Sequence, residues 1–351
     1  MNGQQMAHEM GEQPALLREL IARGPQIGVR LRELVPEPLH GVTIIARGSS
    51  DCAAVYGRYL IETATGRPVS LAAPSLHTHY RIAADYRGQL VIAISQSGAT
   101  PEIVQTLARL QEAGGQGLAI TNEADSELAR TAAMTIALQM GPELAVPATK
   151  TVTGQLVAMA IVAGALTFDR ALADDGAAAA AAGSLVALDA VPVWIEQVLD
   201  DPEPVERVAA TLAGCSELVV AARGYMYAAA LESALKIKET SYLVAEGYSV
   251  ADLRHGPIAA VSSGVPVVAM TNGGVTGADV LTLAGDLRGR GVPVSLVGPL
   301  ADADIRLPEG MPEQLAPIVA TVRGQQLAHR LALALGHEPD APVGLNKVTM
   351  T

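Results

Sequence analysis

The sequence predicts a duplicated α/β protein, each half a parallel sheet flanked by helices in an αβα sandwich. Three observations carry this. Short apolar runs alternate with helical stretches, which indicates βαβ units. Matching anchors recur at one fixed spacing. Half of the residues are apolar, yet there is one Trp and one Phe, so the core is built from small and branched aliphatics. Such a core suits helices packed closely on a parallel sheet.

The repeat sets the frame. Ala46-Arg47-Gly48 recurs as Ala222-Arg223-Gly224, from position 46 to 222, a separation of 176. Ser95-Gln96-Ser97-Gly98 aligns at the same separation with Thr271-Asn272-Gly273-Gly274. Gly115, ahead of Gly117-Leu118-Ala119-Ile120, aligns likewise with Gly291, ahead of Val292-Pro293-Val294. Three ungapped anchors at one separation indicate duplication. In the first half the predicted strands are Gly41 to Ile45, Leu90 to Ile94 and Leu118 to Ile120. In the second they are Glu217 to Val220, Val265 to Met270 and Val294 to Val297. Ligands of such sheets sit beyond the carboxyl ends of the strands, so the turns that follow the strands are where chemistry is expected.

Between the halves, the Ala-rich stretch around Asp174 to Gly183 reads as helix, since Ala is the best helix former, and is expected to cover the joint. Asp200-Asp201-Pro202-Glu203-Pro204 punctuates the entry to the second half. The longest apolar stretch, Leu156 to Phe168, is short for a bilayer span and reads as a buried helix.

The formal charge of −12 repels nucleic acid phosphates and anionic membranes, so neither is expected as a partner. Cys52 and Cys215 make neither a disulfide framework nor a zinc pattern, and fit a reducing, cytoplasmic compartment. Met1 to Pro14 is polar and lacks the features of a signal peptide. His77 and His79 lie two apart with no third ligand in view, so no metal is expected.

The strand Leu90 to Ile94 runs into Ser95-Gln96-Ser97-Gly98-Ala99-Thr100 and then Pro101, a residue favoured just inside a helix start. Hydroxyls of Ser95, Ser97 and Thr100, free backbone N–H groups and the positive end of a helix dipole together suffice to cradle a phosphate. An ordinary N-cap cluster explains the same pattern equally well. The second copy, Thr271-Asn272-Gly273-Gly274, lacks the hydroxyl cluster, which marks the first turn as specialised. Arg47-Gly48-Ser49-Ser50 offers Ser49 and Ser50 as further contacts, or as a cap for the next helix.

In the second half, Glu232, Lys236 and Glu239 fall at i, i+4 and i+7 of one helix and share a face, while Lys238 points elsewhere. The flanking Ala and Leu residues argue that this face is buried, where a Glu-Lys-Glu stripe is costly unless paired or functional. Downstream, Gly256-Pro257 breaks the structure and leaves His255 on a loop, with a side chain that titrates near neutrality.

These residues carry a resemblance. The Ser95-Gln96-Ser97-Gly98-x-Thr100 turn is similar to the phosphate loop of sugar isomerase (SIS) domains. Leu235-Lys236-Ile237-Lys238-Glu239, Ala245-Glu246-Gly247 and Leu253-Arg254-His255-Gly256-Pro257 resemble the isomerase half of the glutamine–fructose-6-phosphate amidotransferases. So do Glu9-x-x-Glu12-Gln13-Pro14 at the start and Leu345-Asn346-Lys347-Val348-Thr349 at the end. The resemblance covers essentially the whole chain and implies two tandem SIS domains. The implied layout is a helical arm at 1–30, a first SIS domain at 31–170 and a helical linker at 171–205. A second SIS domain at 206–340 and a tail at 341–351 complete it.

The resemblance also implies roles. Ser49, Ser50, Ser95, Gln96, Ser97 and Thr100 would hold the phosphate and sugar hydroxyls, with Val146 and Ala148 lining the sugar. Glu239 would shuttle a proton between carbons 1 and 2, Lys236 would stabilise the developing enolate-like oxygen, and Glu232 would orient the group. His255 would open the ring from the partner subunit of a homodimer. Lys347, on the tail, would engage the open-chain carbonyl, with a Schiff base as one form of that contact. No metal or organic cofactor is implied.

Two altered motifs and one expected absence depart from the amidotransferase pattern. Pro147-Ala148-Thr149-Lys150 stands where those synthases carry Ala-Ser-Thr-Lys, and Lys347 is followed by Val348 rather than Ser. No glutaminase segment with its amino-terminal Cys is read, and so no internal ammonia source is expected. These features are more similar to SIS-type glucosamine-6-phosphate deaminases. The expected activity is therefore deamination of glucosamine 6-phosphate. The alternatives are isomerisation of another hexose or hexosamine 6-phosphate, or sugar-phosphate sensing without turnover.

Overall fold

A computed structural model describes residues 3–167 and 187–347. The Ala-rich stretch Asp174 to Gly183 and part of the expected linker lie outside the described residues, as does Val348. The chain divides into two compact units. One draws on Ala15–Pro142 and, among the described residues, 151–167 and 187–189. The other draws on 3–14, Glu143–Lys150 and Ala190–Lys347.

The first unit is built on strands β1 (Gly41–Ile45), β2 (Val69–Leu71), β3 (Gln89–Ile94), β4 (Gln116–Thr121) and β5 (Met134–Ala137). They form one sheet in the order β2-β1-β3-β4-β5 with every pair parallel. Helix α1 (Gln4–Ala22) leads into this unit. It is followed by α2 (Gly24–Leu34), α3 (Ser49–Thr65), α4 (Pro74–Thr78), α5 (Pro101–Glu112), α6 (Glu127–Thr131) and α7 (Lys150–Thr167).

Helix α7 contains the long apolar stretch. By length and composition it could cross a membrane, but 83% of it is buried inside the protein, as in a core helix. It begins at Lys150, six residues before the apolar run, because Lys150 is itself buried against Glu12.

The second unit starts with helices α8 (Val191–Leu199) and α9 (Glu203–Leu212), separated at the predicted Asp200–Pro202 break. Its strands are β6 (Glu217–Ala222), β7 (Val244–Ser249), β8 (Val267–Met270), β9 (Val294–Gly298) and β10 (Ile305–Arg306). They pair in parallel in the order β10-β9-β8-β6-β7. Helices α10 (Tyr227–Ser241), α11 (Val250–Arg254), α12 (Gly277–Gly289) and α13 (Ala316–Ala334) complete it.

The duplication is visible element by element. β1 begins at 41 and β6 at 217, a separation of 176. α3 ends at 65 and α10 at 241, and α5 begins at 101 and α12 at 277, each again 176 apart. Matching strands in this way, the two sheets have the same order, the doubly-wound arrangement in which the central strands are buried on both faces.

Each sheet has five strands where three apolar runs were expected. The additional four are edge or near-edge elements: β2, β5, β7 and β10. They are short or polar, as in β7 with Glu246 and Ser249, because an edge strand faces solvent and needs no continuous apolar run.

Both units also place a glycine where two helices cross. In the first unit a Cβ at Gly57 of α3 would lie 2.1 Å from the Met159 Cε of α7. In the second, a Cβ at Gly324 of α13 would lie 2.0 Å from the Ser233 Oγ of α10. Ser233 is the repeat partner of Gly57, again 176 apart, so the glycine has moved from one helix of the crossing to the other.

Candidate active site

In the first unit the turn after β3 leads straight into α5, as the motif predicted. Thr100 is the N-cap residue and Pro101 occupies the first helical turn, but no side chain caps the helix. Ser95 Oγ accepts the Gly98 N–H at 3.2 Å and lies 3.4 Å from Thr100 Oγ1, and Ser97 Oγ accepts the Ala99 N–H at 3.3 Å. The hydroxyls therefore shape the turn and leave the helix start without a side-chain cap, unlike the plain N-cap cluster that the sequence left open. Gly98 has φ +60°, and a Cβ there would lie 2.1 Å from Ser126 Oγ, so only glycine fits the fold of the turn. Gln96 accepts from Thr121 Oγ1 and the Asn122 N–H through its carbonyl, leaving its side chain uncommitted by these bonds.

The neighbouring turn after β1 brings Ser49 and Ser50 to the start of α3, whose N-cap is Gly48, again without a side-chain cap. Ser50 is buried, and its Oγ accepts from Gln155 Nε2 of α7 at 3.0 Å. That leaves its own hydroxyl hydrogen to donate. Arg47 binds Glu102, in the first turn of α5, at 3.0 Å.

The equivalent turn after β8 is chemically different. Thr271 is buried and its Oγ1 accepts the Gly273 N–H at 3.1 Å, while Asn272 Oδ1 accepts the Gly274 N–H at 3.0 Å. It has two hydroxyls where the first turn has three: Thr271, which accepts within the turn as Ser95 and Ser97 do, and Thr276, the repeat partner of Thr100, which donates to the Arg223 carbonyl at 3.2 Å.

In the second unit, α10 carries the Glu-Lys-Glu stripe on its enclosed face. The Lys236 and Glu232 side chains are 1% and 2% exposed and their charges lie 3.6 Å apart. Lys236 Nζ also donates directly to the Glu239 carboxylate, whose side chain is 22% exposed. Glu239 is thus the member of the triad that outside groups can reach. Lys238 leaves the stripe as predicted, pairing with Glu246 at 3.5 Å on the surface.

His255 caps the end of α11, exposed, and its side chain makes no hydrogen bond or ion pair among the described residues. It is not brought to Lys236 or Lys347 by any such contact.

The tail places Lys347 in a built setting. Its Nζ donates to Glu143 Oε2 at 2.8 Å and to the Ala145 carbonyl at 2.7 Å. Val146 and Ala148, both half-buried, belong to the same loop, and the Val146 N–H donates to the Asp340 carbonyl at 2.8 Å. Tyr242, just past α10, accepts the Val343 N–H at 2.8 Å through its hydroxyl.

The sequence assigned no role to several polar residues of this setting, although Glu9, Glu12, Thr149 and Lys150 fall within the motifs that carry the resemblance. Glu9 is fully buried and accepts the N–H groups of Leu144 and Ala145. Glu143 accepts the Thr149 N–H at 2.9 Å, and the Thr149 carbonyl accepts from Gln325 Nε2 at 3.1 Å. Lys150 Nζ binds Glu12 at 2.6 Å. A charged residue heading the apolar helix α7 was the available signal for Lys150. Glu143, in Gly-Pro-Glu-Leu, reads as a surface turn. Among the described residues no group of His, Cys, Asp or Glu could hold a metal ion. His77 is buried edge-on to Tyr86, and burial lowers its pKa from the ordinary value.

Two similar doubly-wound units, one with a hydroxyl turn at a helix start and one with a buried Glu-Lys-Glu helix, define a tandem sugar-isomerase architecture. The chain belongs to the SIS domain family, which matches residues 40–164 and 211–333. It is 33% identical over 358 residues to a glutamine–fructose-6-phosphate aminotransferase (isomerizing) of Pyrococcus horikoshii, covering 97% of this chain and 57% of that protein. The chain therefore spans a little over half the length of the curated relatives it matches. Among solved structures, it is similar to the C-terminal domain of a glucosamine-fructose-6-phosphate aminotransferase from Francisella tularensis. That likeness has a TM-score of 0.87 at 26% identity, covering 97% of this chain and 98% of that one. The fold is also shared with a glucosamine-6-phosphate deaminase from Thermotoga maritima, with a TM-score of 0.76 at 20% identity, covering 99% and 100%.

Proposed function

We propose that the protein is an amino sugar phosphate deaminase of the aldose–ketose isomerase type, converting glucosamine 6-phosphate and water to fructose 6-phosphate and ammonia. The observation that carries this reading is the Lys236 ammonium held between Glu232 and Glu239 on the enclosed face of α10, with only Glu239 open to a substrate. A fixed carboxylate next to a fixed cation is suited to move a proton on carbon and to stabilise the charge that develops.

In this reading the hydroxyl turn Ser95 to Thr100, with Ser49, Ser50 and Gln96, takes the phosphate and sugar hydroxyls. His255 opens the pyranose, and a partner subunit would bring it to the sugar. Glu239 removes the proton from carbon 2 of the open-chain aldehyde. The C2–H electron pair becomes the C1–C2 double bond of an enolamine, and the carbonyl oxygen takes a proton from solvent to become a hydroxyl. Glu239 then returns its proton to carbon 1 while the nitrogen lone pair forms the C2–N double bond, and the resulting iminium gives a proton back to solvent to leave the ketose imine. Water adds to carbon 2 and ammonia leaves. Lys347 engages the open-chain carbonyl, and Val146 and Ala148 line the sugar.

The deaminase reading over the synthase reading is supported by Ala148 and by Val348, each of which stands where the synthase pattern carries Ser. Ammonia release is measured from a panel of amino sugar 6-phosphates, alongside interconversion of hexose 6-phosphates. Ammonia from glucosamine 6-phosphate is the expected result. Hexose 6-phosphate isomerisation without ammonia release would replace the deaminase by an isomerase. Tight binding with no turnover of any sugar would overturn the enzymatic reading.

A further inference from the structure

We infer that Glu143 is the positioning residue for Lys347: a buried carboxylate that docks the tail lysine and presents one of its N–H bonds outward. The inference rests on the role proposed for Lys347, and its geometry stands apart from that role.

The Glu143 side chain is 0% exposed, and its two oxygens have separate tasks. Oε1 accepts the Thr149 N–H at 2.9 Å, which fixes the carboxylate to the backbone of its own loop. Oε2 accepts Lys347 Nζ at 2.8 Å across 204 positions of sequence. A buried carboxylate left without a cation would carry a large desolvation cost, so Glu143 has a strong reason to hold the lysine.

The second acceptor of Lys347 is also anchored. Ala145 offers its carbonyl at 2.7 Å, and its own N–H is tied to the buried Glu9 at 3.3 Å. Both bonds thus come from one short loop pinned by two buried carboxylates. An ammonium has three N–H donors. Two are used here, and the third has no partner among the described residues, while the side chain keeps 24% of its exposure. The lysine is sealed on two sides and open on one.

A flexible four-carbon side chain near the end of a tail has little reason to rest in one place. Holding it ahead of substrate converts a search into a fixed approach, which is where orientation accelerates a reaction. This work falls to Glu143 because a neutral side chain of equal shape would meet the ammonium with an amide N–H or lose the Thr149 bond.

The test uses a feature of the sequence: there are four lysines, Lys150, Lys236, Lys238 and Lys347. Lys150 and Lys236 are buried, and exposed Lys238 is an internal reference. Trace acetylation of the full chain, read by mass spectrometry, gives the Lys347 to Lys238 labelling ratio with no substrate present. Glu143→Gln is expected to raise that ratio at least about fivefold and to lower kcat about 100-fold, with KM within about threefold. Glu143→Asp, which keeps the charge, is expected to recover at least about a tenth of wild-type kcat. Thermal unfolding checks that Glu143→Gln folds, and Glu143→Asp carries the labelling comparison if it does not.

An unchanged labelling ratio in a folded variant, whatever its activity, overturns the inference. So does a kcat loss in Glu143→Gln that Glu143→Asp fails to restore in part. Full activity in Lys347→Ala would instead overturn the role of Lys347 while leaving the labelling result to judge the docking by itself.

Discussion

Gly324→Ala should damage catalysis from a position that touches no substrate. The added Cβ would lie 2.0 Å from Ser233 Oγ, 2.8 Å from Ser233 Cβ and 3.3 Å from Ser233 Cα. Turning the serine hydroxyl relieves only the first of these, and that hydroxyl is already bonded to the Ala229 carbonyl at 2.7 Å. The backbone of α10 must therefore move away from α13 by about 1 Å to reach ordinary contact. Ala is the better helix former by roughly 1 kcal/mol, but overpacking a tight crossing costs about 1–3 kcal/mol. A net loss of about 1–2 kcal/mol follows, readable in urea unfolding. Because α10 carries Glu232, Lys236 and Glu239, a shift of about 1 Å is expected to lower kcat on the order of 100-fold. Ser233→Gly added to Gly324→Ala removes the two nearest of these atoms and should restore kcat, with stability near that of the parent because the glycine penalty of roughly 1 kcal/mol relieved at 324 returns at 233. If Gly324→Ala alone were more stable than the parent and fully active, the crossing would not be the constraint that seats α10.

Other expectations follow from the same geometry. Glu239→Gln should keep substrate binding and lower turnover at least ~100-fold, the scale of a lost general base; near-normal turnover would remove Glu239 from the proton path. Ser97→Ala should raise KM roughly ten- to a hundredfold, since a charge-assisted hydrogen bond contributes about 1.5–3 kcal/mol. Thr271→Ala should leave KM within about twofold and cost only stability, and equal KM values would move the phosphate away from the first turn. His329 gives a pH signature. It is buried with Nε2 2.9 Å from the Gly3 carbonyl, and burial lowers its pKa against a smaller raising effect of that bond. With the folded value depressed, the unfolded chain takes up the proton first as pH falls. Its contribution is complete above the unfolded value, about 6.5, and is lost as pH drops toward the folded value, with a slope of at most about 1.4 kcal/mol per unit. Urea midpoints against pH for the parent and His329→Leu should diverge in slope only below about pH 7; parallel curves would show that His329 does not titrate on unfolding.

The central strands were legible because a strand covered on both faces must be apolar throughout, as in Leu90 to Ile94 and Val267 to Met270. Edge strands such as β7 face water and share no such rule, so they were missed. The two turns and the Glu-Lys-Glu stripe were legible because each is local: hydroxyls before a helix start, or charges at helical spacing among alanines. The burial of Glu9 and Glu143 was illegible for the opposite reason. Their burial depends on partners more than a hundred positions away, Leu144 and Ala145 for one and Lys347 for the other. A carboxylate in Gly-Pro-Glu-Leu has no local mark that separates it from a surface turn.

The composition of the second unit bears on how the chain matures during synthesis. Its segments 3–14, Glu143–Lys150 and Ala190–Lys347 leave the ribosome at widely separated times. The sheet of the first unit has all its strands once Ala137 has emerged, and domains generally fold as units from the amino terminus onward. The start of α1 and the loop at Glu143 must wait longer. The N–H groups of Gln5 and Met6 are received by the Asp340 carboxylate, at 3.0 and 2.7 Å, and the Gly3 N–H by Glu338 at 2.8 Å. Glu143 itself waits for Lys347. A nascent chain halted before residue 338 would have its first sheet complete, yet neither the clasp on the start of α1 nor the lysine that fills the Glu143 site. The Glu143 setting is thus complete only once Lys347 has emerged, and a product truncated before that residue would carry the hydroxyl turn without the lysine.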